Sequence, residues 1–373
     1  MAGVRTCRVG LLLTGYVTFF LLLSQMVHRK RTIDQTLNHV RFANSSKHSA
    51  NMVEPAPMPV PDLLSPPAPV QEPPVALAIF DLDLDFTSEK LKLASPSNTE
   101  EGNDTGTAEP ECIPTKTVPS FIVCPYDSKT DKFVSVALRQ SGYWEGNVLE
   151  VLKDTASSYK TDVTFVNIGA HIGTHALYAR ALGMHVVAVE PIEQNCKQIV
   201  KAYQRNGFKT RQHPTLQFTL VQHAVSDTRR LATMIVDPAN HGGTRVLSTH
   251  VKKRKKHLVE MQTIKLNDLS PLIQTKHVLL LVDIESHECR CLSQQAGASE
   301  FFKKFNVDKL ITEWGYHTMA HGQCVNAMVR MLHEMGYVAY EMRTQRRFIP
   351  PDATQSEAES GYQGNVLWVL EEL

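Results

Sequence analysis

The chain has 373 residues, and its 39 basic and 38 acidic side chains nearly cancel. This balance excludes a strongly basic or strongly acidic protein of the kind whose overall charge dictates its partners. Residues 119–373 are long enough to bury a sizeable core as one domain.

The N-terminal region predicts a membrane anchor. After a short tail, residues 1–8, the segment 9–27 carries no charged side chain and is long enough to cross a bilayer as a helix. We expect an uncleaved transmembrane signal anchor; the alternative is a cleaved signal peptide, whose apolar region is usually shorter. Basic residues flank both ends of the segment almost equally, so charge alone does not decide the orientation.

Residues 28–118 have the composition of a stem. Proline is so frequent in residues 55–74 that an extended, semi-rigid chain is expected, and residues 95–111 are polar and acidic, which favours disorder. Residues 76–86 alternate apolar residues with Asp, a pattern that indicates packing without indicating where.

Several features favour a luminal domain, in the Golgi or the endoplasmic reticulum. Asn44 and Asn103 begin glycosylation sequons in the stem. Six of the seven cysteines follow the apolar segment, an even number that is compatible with disulfides. We expect Cys112 to pair with Cys124, and Cys289 and Cys291 to be buried free thiols. The alternative is a domain that faces the cytosol.

A buried strand, a glycine turn and an amphipathic helix follow each other from residue 163. The apolar run 163–168 is short and β-branched, Gly169 ends it, and apolar residues then recur at helical spacing. A dinucleotide fingerprint would need glycine at positions 171 and 174, which are His171 and Thr174. A second strand, 185–189, ends in Glu190, where an acid reaches the ribose hydroxyls of a bound nucleotide. This pattern favours a class I methyltransferase that binds S-adenosylmethionine over an NAD enzyme.

The downstream pattern continues the same fold. Apolar runs predict strands at 216–222, 278–284, 310–314, 338–342 and 365–370. We therefore expect an α/β, Rossmann-like class I methyltransferase domain with a mostly parallel seven-stranded sheet flanked by helices.

Over residues 142–368 the chain resembles the FkbM family of methyltransferases. The matching segments are Trp144-Glu145, residues 167–173, Glu190, residues 240–242, residues 263–269 and residues 283–288. The chain departs from the family pattern at three positions: Asn167 replaces Asp, His171 replaces Asn, and Ser286 replaces Gly. The resemblance implies a methyltransferase fold and S-adenosylmethionine as cofactor.

The predicted cofactor contacts share a position at the first turn or at the end of a strand. They are Asn167, Gly169, His171, Gly173, Thr174, Glu190, Ala224 and Asp283.

His287 is the predicted general base. On an extended segment, Asp283, Glu285 and His287 would share one face, so that two carboxylates orient the imidazole. Two alternatives stay open: His287 caps the following helix, or Asp283, Glu285 and Glu313 hold a divalent metal. No metal is assigned.

We expect O-methylation of a hydroxyl on a glycan or related small molecule. The other predicted partner is the membrane, through the N-terminal helix. Nucleic acid is not expected, because the basic run at residues 252–256 lacks interleaved aromatic residues and is interpreted as a solvated loop. The alternative functions are a catalytically silent binding domain, suggested by Asn167 and His171, and a cytosol-facing methyltransferase with a small-molecule or protein acceptor.

Overall fold

The computed structural model describes residues 77–83, 111–208, 216–237, 240–246, 257–315, 322–348 and 363–371. The predicted anchor, the proline-rich stem, both sequons and the basic run lie outside these residues. Among the residues described, no helix combines the length and apolar character needed to cross a membrane.

The strands are β1 (Ile79–Asp81), β2 (Ile113–Pro114), β3 (Ile122–Val123), β4 (Val163–Ile168), β5 (His185–Val189), β6 (Phe218–Val221), β7 (Ala224–Val225), β8 (Leu231–Asp237), β9 (Asn240–Val246), β10 (Leu258–Ile264), β11 (His277–Val282), β12 (Asn306–Trp314), β13 (Tyr337–Glu341), β14 (Arg347–Phe348) and β15 (Gly364–Leu370). The helices are α1 (Val134–Gln140), α2 (Gly146–Tyr159), α3 (Thr174–Ala181), α4 (Glu193–Asn206), α5 (Glu288–Cys291), α6 (Ala298–Lys304) and α7 (Gly322–Glu334), with a 3₁₀ helix at Leu266–Leu272.

The main sheet has nine strands in the order β1-β6-β5-β4-β11-β12-β15-β13-β14. The five strands from β6 to β12 are mutually parallel, and the other four pair antiparallel with their neighbours. The predicted seven strands form the body of this sheet. The predicted number of strands, seven, is wrong, because the short strands β1 and β14 extend the two edges of the sheet to give nine.

Both faces of the main sheet are covered, as the apolar character of its central strands predicts. In β4, Val163 and Phe165 join the core beneath α1–α4, whereas Val166 and Ile168 join the core beneath α5–α7 and the 3₁₀ helix. Successive side chains of a strand point to opposite faces, so one apolar strand contributes to both cores. The carboxyl ends of the parallel strands are thereby held at one edge.

A second sheet, β7-β10-β8-β9, has four strands and lies between β6 and β11 in the chain. Strands β8 and β9 pair antiparallel, with Asp237 opposite Asn240. The segment 240–242, which resembles the N-x-G hairpin of the family, therefore begins the second strand of an antiparallel pair.

Strand β1 belongs to the segment that the sequence pattern left without a partner. It pairs antiparallel with β6, with Phe80 opposite Leu220. The Asp83 carboxylate accepts hydrogen bonds from the backbone N–H of Phe218, at 2.6 Å, and from the Tyr203 hydroxyl. It also lies 3.6 Å from the buried guanidinium of Arg180. The folded unit thus includes residues on the N-terminal side of position 119.

Two disulfides are present among the described cysteines. The predicted Cys112–Cys124 pair is confirmed. Cys289 pairs with Cys324, so the prediction of a free thiol at Cys289 is wrong, whereas Cys291 is free and buried as expected. Helix α7 brings Cys324 to α5 over a sequence separation of 35 residues, a tertiary contact that cysteine spacing does not reveal.

Candidate active site

A cleft lies at the carboxyl ends of β4, β5 and β11, where open α/β sheets bind ligands. The empty space within it is about 520 Å³, a volume that includes open solvent. Gly169, Glu190 and Asp283 line it. The small sheet also contributes to its lining, through Met234, Gly242, Thr244 and Val246.

The loop after β4 needs glycine at two positions. Gly169 has φ +86°, and a Cβ there would lie 1.8 Å from the backbone oxygen of Asp283. Gly173 has φ +82°, and its Cβ would lie 2.9 Å from Cγ1 of Ile199. Both positions combine a left-handed backbone with a close neighbour, and glycine tolerates both. The glycine turn therefore lets β4, β11 and α4 approach each other around the cleft.

Glu190 is tied to this loop by its carboxylate. Oε2 accepts a hydrogen bond from the His171 backbone N–H at 2.8 Å. Oε1 accepts from the Ile192 backbone N–H at 2.9 Å and from the Asn195 amide at 3.0 Å. Burial raises the pKa of Glu190 to about 7, although these three donors act in the opposite direction. Glu190 thus lines the cleft and shapes the first loop at the same time.

His287 lies at the cleft, but the predicted geometry around it is wrong. The segment after β11 is not extended, because Glu285 has φ +54° and Ser286 has φ +78°. These two residues turn the chain, and His287 is the N-cap residue directly before α5, although its side chain forms no capping hydrogen bond. Asp283, Glu285 and His287 therefore do not share one face of a strand.

A chain of hydrogen bonds holds the His287 ring instead. Its Nε2 lies 2.9 Å from the Ser226 hydroxyl oxygen, which donates to Oδ1 of Asp227 at 3.1 Å. Arg290 donates to Oδ2 of Asp227 at 2.7 Å. Burial alone would raise the pKa of Asp227, but the hydrogen bonds from Arg290 and Ser226 hold it below its ordinary value. Which atom donates between Nε2 of His287 and the Ser226 hydroxyl depends on the tautomer of the ring.

Three acidic residues, Asp283, Glu288 and Glu313, form a carboxylate cluster beside the cleft. One oxygen from each lies within 4.8 Å of the other two. Oε1 of Glu288 accepts hydrogen bonds from the backbone N–H groups of Ile284, at 3.0 Å, and Ser286, at 3.2 Å. Burial, followed by the charge of Glu313, raises the pKa of Asp283 well above its ordinary value. Burial likewise raises the pKa of Glu288 to about 8.

Glu145 approaches this cluster from the start of α2. Its Oε1 accepts a hydrogen bond from the Asn365 amide at 2.8 Å, and its Oε2 lies 3.5 Å from Nε2 of His175. Burial raises the pKa of Glu145 to about 7 and lowers that of His175 to about 4, so His175 is neutral at physiological pH. Only the resemblance to the Trp-Glu pair of the family singled out Glu145 in the sequence; its contact with Asn365 joins residues 220 positions apart.

Comparison with known proteins agrees with this architecture. Residues 167–339 match the model of the methyltransferase FkbM domain. The domain belongs to the FkbM methyltransferase family. S-adenosylmethionine is the cofactor of this FkbM domain. No curated protein matches the chain.

The FkbM domain is also similar to solved structures at low identity. The SAM-dependent methyltransferase from Agrobacterium tumefaciens is 9% identical, with 71% of this chain and 72% of that chain covered and a TM-score of 0.37. The O-methyltransferase from Bacillus cereus, in complex with SAH, is 10% identical, with 66% and 92% covered and a TM-score of 0.33.

The cleft of the FkbM domain fits its cofactor. The required glycine at position 169 leaves room beside the backbone, and the Glu190 carboxylate, whose Oε2 can accept a second hydrogen bond, lines the space. Val189 at the end of β5 and Ala224 and Val225 of β7 add apolar surface. Apolar walls with a few fixed polar groups are typical of a nucleoside site.

The predicted cofactor residues divide into two groups. Gly169, His171, Glu190, Ala224 and Asp283 line the cleft, as do the predicted catalytic residues Glu285 and His287.

Asn167, Gly173 and Thr174 are not among the residues that line the cleft. Asn167 is on the β4 face that includes Phe165, and it is 1% exposed. Gly173 precedes α3 and Thr174 begins it, so both act on the cleft through the loop that they end.

Two departures from the FkbM pattern fall on left-handed backbone. His171, which replaces Asn, has φ +49°, and Ser286, which replaces Gly, has φ +78°. Asn and Gly are the residues that tolerate this conformation best. The His171 ring lies beside β9, where a Cβ at Gly242 would lie 3.4 Å from its Cε1.

Proposed function

We propose that this chain is an S-adenosylmethionine-dependent O-methyltransferase that acts on a hydroxyl of a glycan or related small molecule. The observation that carries the proposal is the placement of Glu190, which lines the cleft while its carboxylate fixes the glycine loop. A binding domain without cofactor would need neither the glycine at position 169 nor a buried carboxylate facing the same space.

Each part of the cleft has a role in cofactor binding. Glu190 accepts hydrogen bonds from the ribose hydroxyls, and Ala224 leaves room for the adenine. Gly169 and His171 form the loop that closes over the cofactor. When bound, the cofactor supplies a methyl group on a sulfonium that needs no further activation, so the chain has to orient the acceptor and remove its proton.

His287 is the group that we assign to the proton. In the tautomer that donates from Nε2 to Ser226, Nδ1 is the ring nitrogen that accepts a proton from the acceptor hydroxyl. Asp283 and Glu285 line the same cleft and position the acceptor. Replacement of His287 by Gln should lower the rate of methyl transfer by about 10² to 10⁴ while S-adenosylhomocysteine binds as before; an unchanged rate would remove His287 from this role.

The first experiment is a titration of the full chain with S-adenosylhomocysteine. Glu190→Gln should weaken binding by about 1.5–3 kcal/mol, or roughly 10- to 150-fold, because it removes charged hydrogen bonds. Glu193→Gln is the matched control: it removes a carboxylate three residues away, whose 2.8 Å pair with Lys197 lies on the helix surface. Failure of the folded chain to bind the ligand would favour a silent binding domain instead.

The acceptor is tested once binding is established. A panel of glycans and small hydroxyl compounds is incubated with cofactor that carries an isotope-labelled methyl group, and His287→Gln serves as the background. Label found on oxygen supports the proposal, whereas label found only on nitrogen or carbon contradicts O-methylation.

We propose that the domain is luminal, in the Golgi or endoplasmic reticulum, behind an N-terminal anchor. The disulfides Cys112–Cys124 and Cys289–Cys324 support this placement, because disulfides persist mainly in oxidising compartments. A luminal chain should lose mass on glycosidase treatment through Asn44 or Asn103. A chain with unmodified sequons and four reactive thiols at these cysteines would favour the cytosolic alternative.

A further inference from the structure

We propose that the carboxylate cluster, Asp283, Glu288 and Glu313, binds a hard divalent cation. Three different elements bring these side chains together. Asp283 follows β11 and Glu313 lies in the adjacent β12, where Val282 is opposite Thr312. Glu288 begins α5. The three contributing oxygens lie within 4.8 Å of one another, close enough to surround one ion.

Glu288 gives independent support for a ligand at this place. Its side chain is 0% exposed, and two backbone N–H groups hold Oε1. Among the described residues, Oε2 has no hydrogen-bond partner. A buried carboxylate oxygen without a donor is strongly unfavourable. One oxygen of this carboxylate lies within 4.8 Å of an oxygen of Asp283 and of an oxygen of Glu313, so a cation shared by the three groups would give the Glu288 carboxylate a further partner.

Asn167 adds a second buried group without a partner on the same side of the sheet. It is 1% exposed, and neither its amide nitrogen nor its amide oxygen has a hydrogen-bond partner among the described residues. In the sheet register Asn167 is opposite Leu281, two residues before Asp283. Side chains two apart on a strand share a face, so Asn167 projects on the face from which Asp283 reaches the cluster.

Asp283 and Glu288 lie near other acidic side chains. Within the described part of the chain, neither Asp283 nor Glu288 forms an ion pair. The charged groups that act on Asp283 are Glu313, Glu145, Glu285 and Glu288, all of them acidic. Carboxylates at this separation need a proton or a cation between them.

The chemistry of the three carboxylates indicates which metal ions the cluster would bind. Carboxylate oxygens without histidine or thiolate favour Mg²⁺, Mn²⁺ or Ca²⁺ over zinc. These ions take six or more oxygen ligands, so three carboxylates leave positions open for water or for an acceptor hydroxyl. Asp283 also lines the cleft, and an acceptor oxygen on the ion would be oriented and made more acidic. Binding of the ion depends on the cluster alone, whereas this role toward the acceptor rests on the proposed function.

The test is a titration of the full chain with Mn²⁺. Electron paramagnetic resonance measures the concentration of free Mn²⁺ at each step of the titration. Glu313→Gln should weaken Mn²⁺ binding at least about tenfold, because loss of even an outer-shell partner has that effect. Asp283→Asn is the second variant, in case the first alters the fold. Glu260→Gln, which changes an exposed carboxylate of β10, is the control and should bind as the wild type does.

S-adenosylhomocysteine titrations of the same samples separate this inference from the proposed function. A chain that binds this ligand but no Mn²⁺, or that binds Mn²⁺ equally with and without Glu313, overturns the cation site and leaves the methyltransferase standing. A chain that binds Mn²⁺ through the cluster but not the cofactor product supports the site and contradicts the enzyme.

Discussion

The Glu190 carboxylate accepts a hydrogen bond from the backbone N–H of His171 at 2.8 Å, across 19 residues of sequence. The residue proposed to hold the ribose therefore also holds the glycine loop after β4. A substitution that removes the carboxylate removes both functions. With Glu190→Ala, the loss of the ribose contact could therefore not be distinguished from the loss of loop structure. Glu190→Gln keeps the volume and one acceptor oxygen, which makes it the more informative variant.

The pH dependence of cofactor binding follows from the same carboxylate. Burial raises the pKa of Glu190 to about 7, so the protonated form dominates below this pH and the ionised form above it. Ribose hydroxyls donate to the ionised form. If only that form binds, the dissociation constant for S-adenosylhomocysteine should fall about tenfold between pH 6 and pH 8.

Calorimetric titrations at pH 6, 7 and 8 measure this change. Glu190→Gln has no proton to lose and should show a flat profile over the same range, whereas Glu193→Gln should follow the wild type. Tighter binding at pH 6 than at pH 8 would contradict the expected direction of the pH dependence.

Gly169 and Gly183 form a matched pair for the glycine turn. Both have positive φ, +86° and +90°, but a Cβ at Gly169 would meet the Asp283 oxygen at 1.8 Å, whereas a Cβ at Gly183 would meet no described atom within 4 Å. Gly183→Ala should lower the free energy of unfolding by about 1–2 kcal/mol, through backbone strain alone. Gly169→Ala should lower the free energy of unfolding by clearly more than Gly183→Ala does. It should also abolish cofactor binding, because β4 and β11 must separate to make room for the new Cβ. Urea unfolding of the two variants compares them, and equal losses would show that the close approach is unimportant.

Local patterns predicted the central strands well because their environment is simple. The predicted bounds of β4 and β5 agree with the structure, since a strand buried on both faces reads as a continuous apolar run. Such a run does not reveal tertiary contacts. Strand β9 contains Asn240, Gly242 and Gly243, residue types that do not predict a strand. It forms by pairing with β8, which the sequence of β9 alone does not reveal.

The candidate active site shows the same difference between features that follow from local sequence and features that depend on the folded chain. Position in the sheet was enough to place Glu190 and Asp283 at the cleft, because the carboxyl ends of parallel strands meet at one edge. The orientation of His287 was not predictable in this way. Two consecutive residues with positive φ, Glu285 and Ser286, turn the chain, and neither residue type signals a left-handed backbone.

Ser286 offers a prediction of increased stability. Its φ of +78° is unfavourable for any residue with a Cβ, and the resemblance to the FkbM motif implies glycine at this position. Ser286→Gly should raise the free energy of unfolding by about 1 kcal/mol. Ser286→Ala retains the Cβ and is the control, with no comparable gain expected. A thermal unfolding midpoint that rises equally in both variants would show that the serine hydroxyl, and not the backbone, is responsible.

Asp83 tests whether the segment at residues 77–83 is part of the folded unit. Its carboxylate accepts the Phe218 N–H and the Tyr203 hydroxyl, and it lies 3.6 Å from Arg180, whose side chain is 2% exposed. Asp83→Ala leaves this guanidinium without its partner and should lower the free energy of unfolding by about 3–5 kcal/mol.

The control for Asp83 is Asp154→Ala, on the exposed side of α2, which should change stability by less than about 0.5 kcal/mol. Chemical denaturation of the full chain measures both variants. Because β1 pairs with β6, and β6 is hydrogen-bonded to β5 beside Glu190, Asp83→Ala should also weaken S-adenosylhomocysteine binding. Equal unfolding midpoints for the two variants would mean that strand β1 contributes little, and that the fold does begin near residue 119.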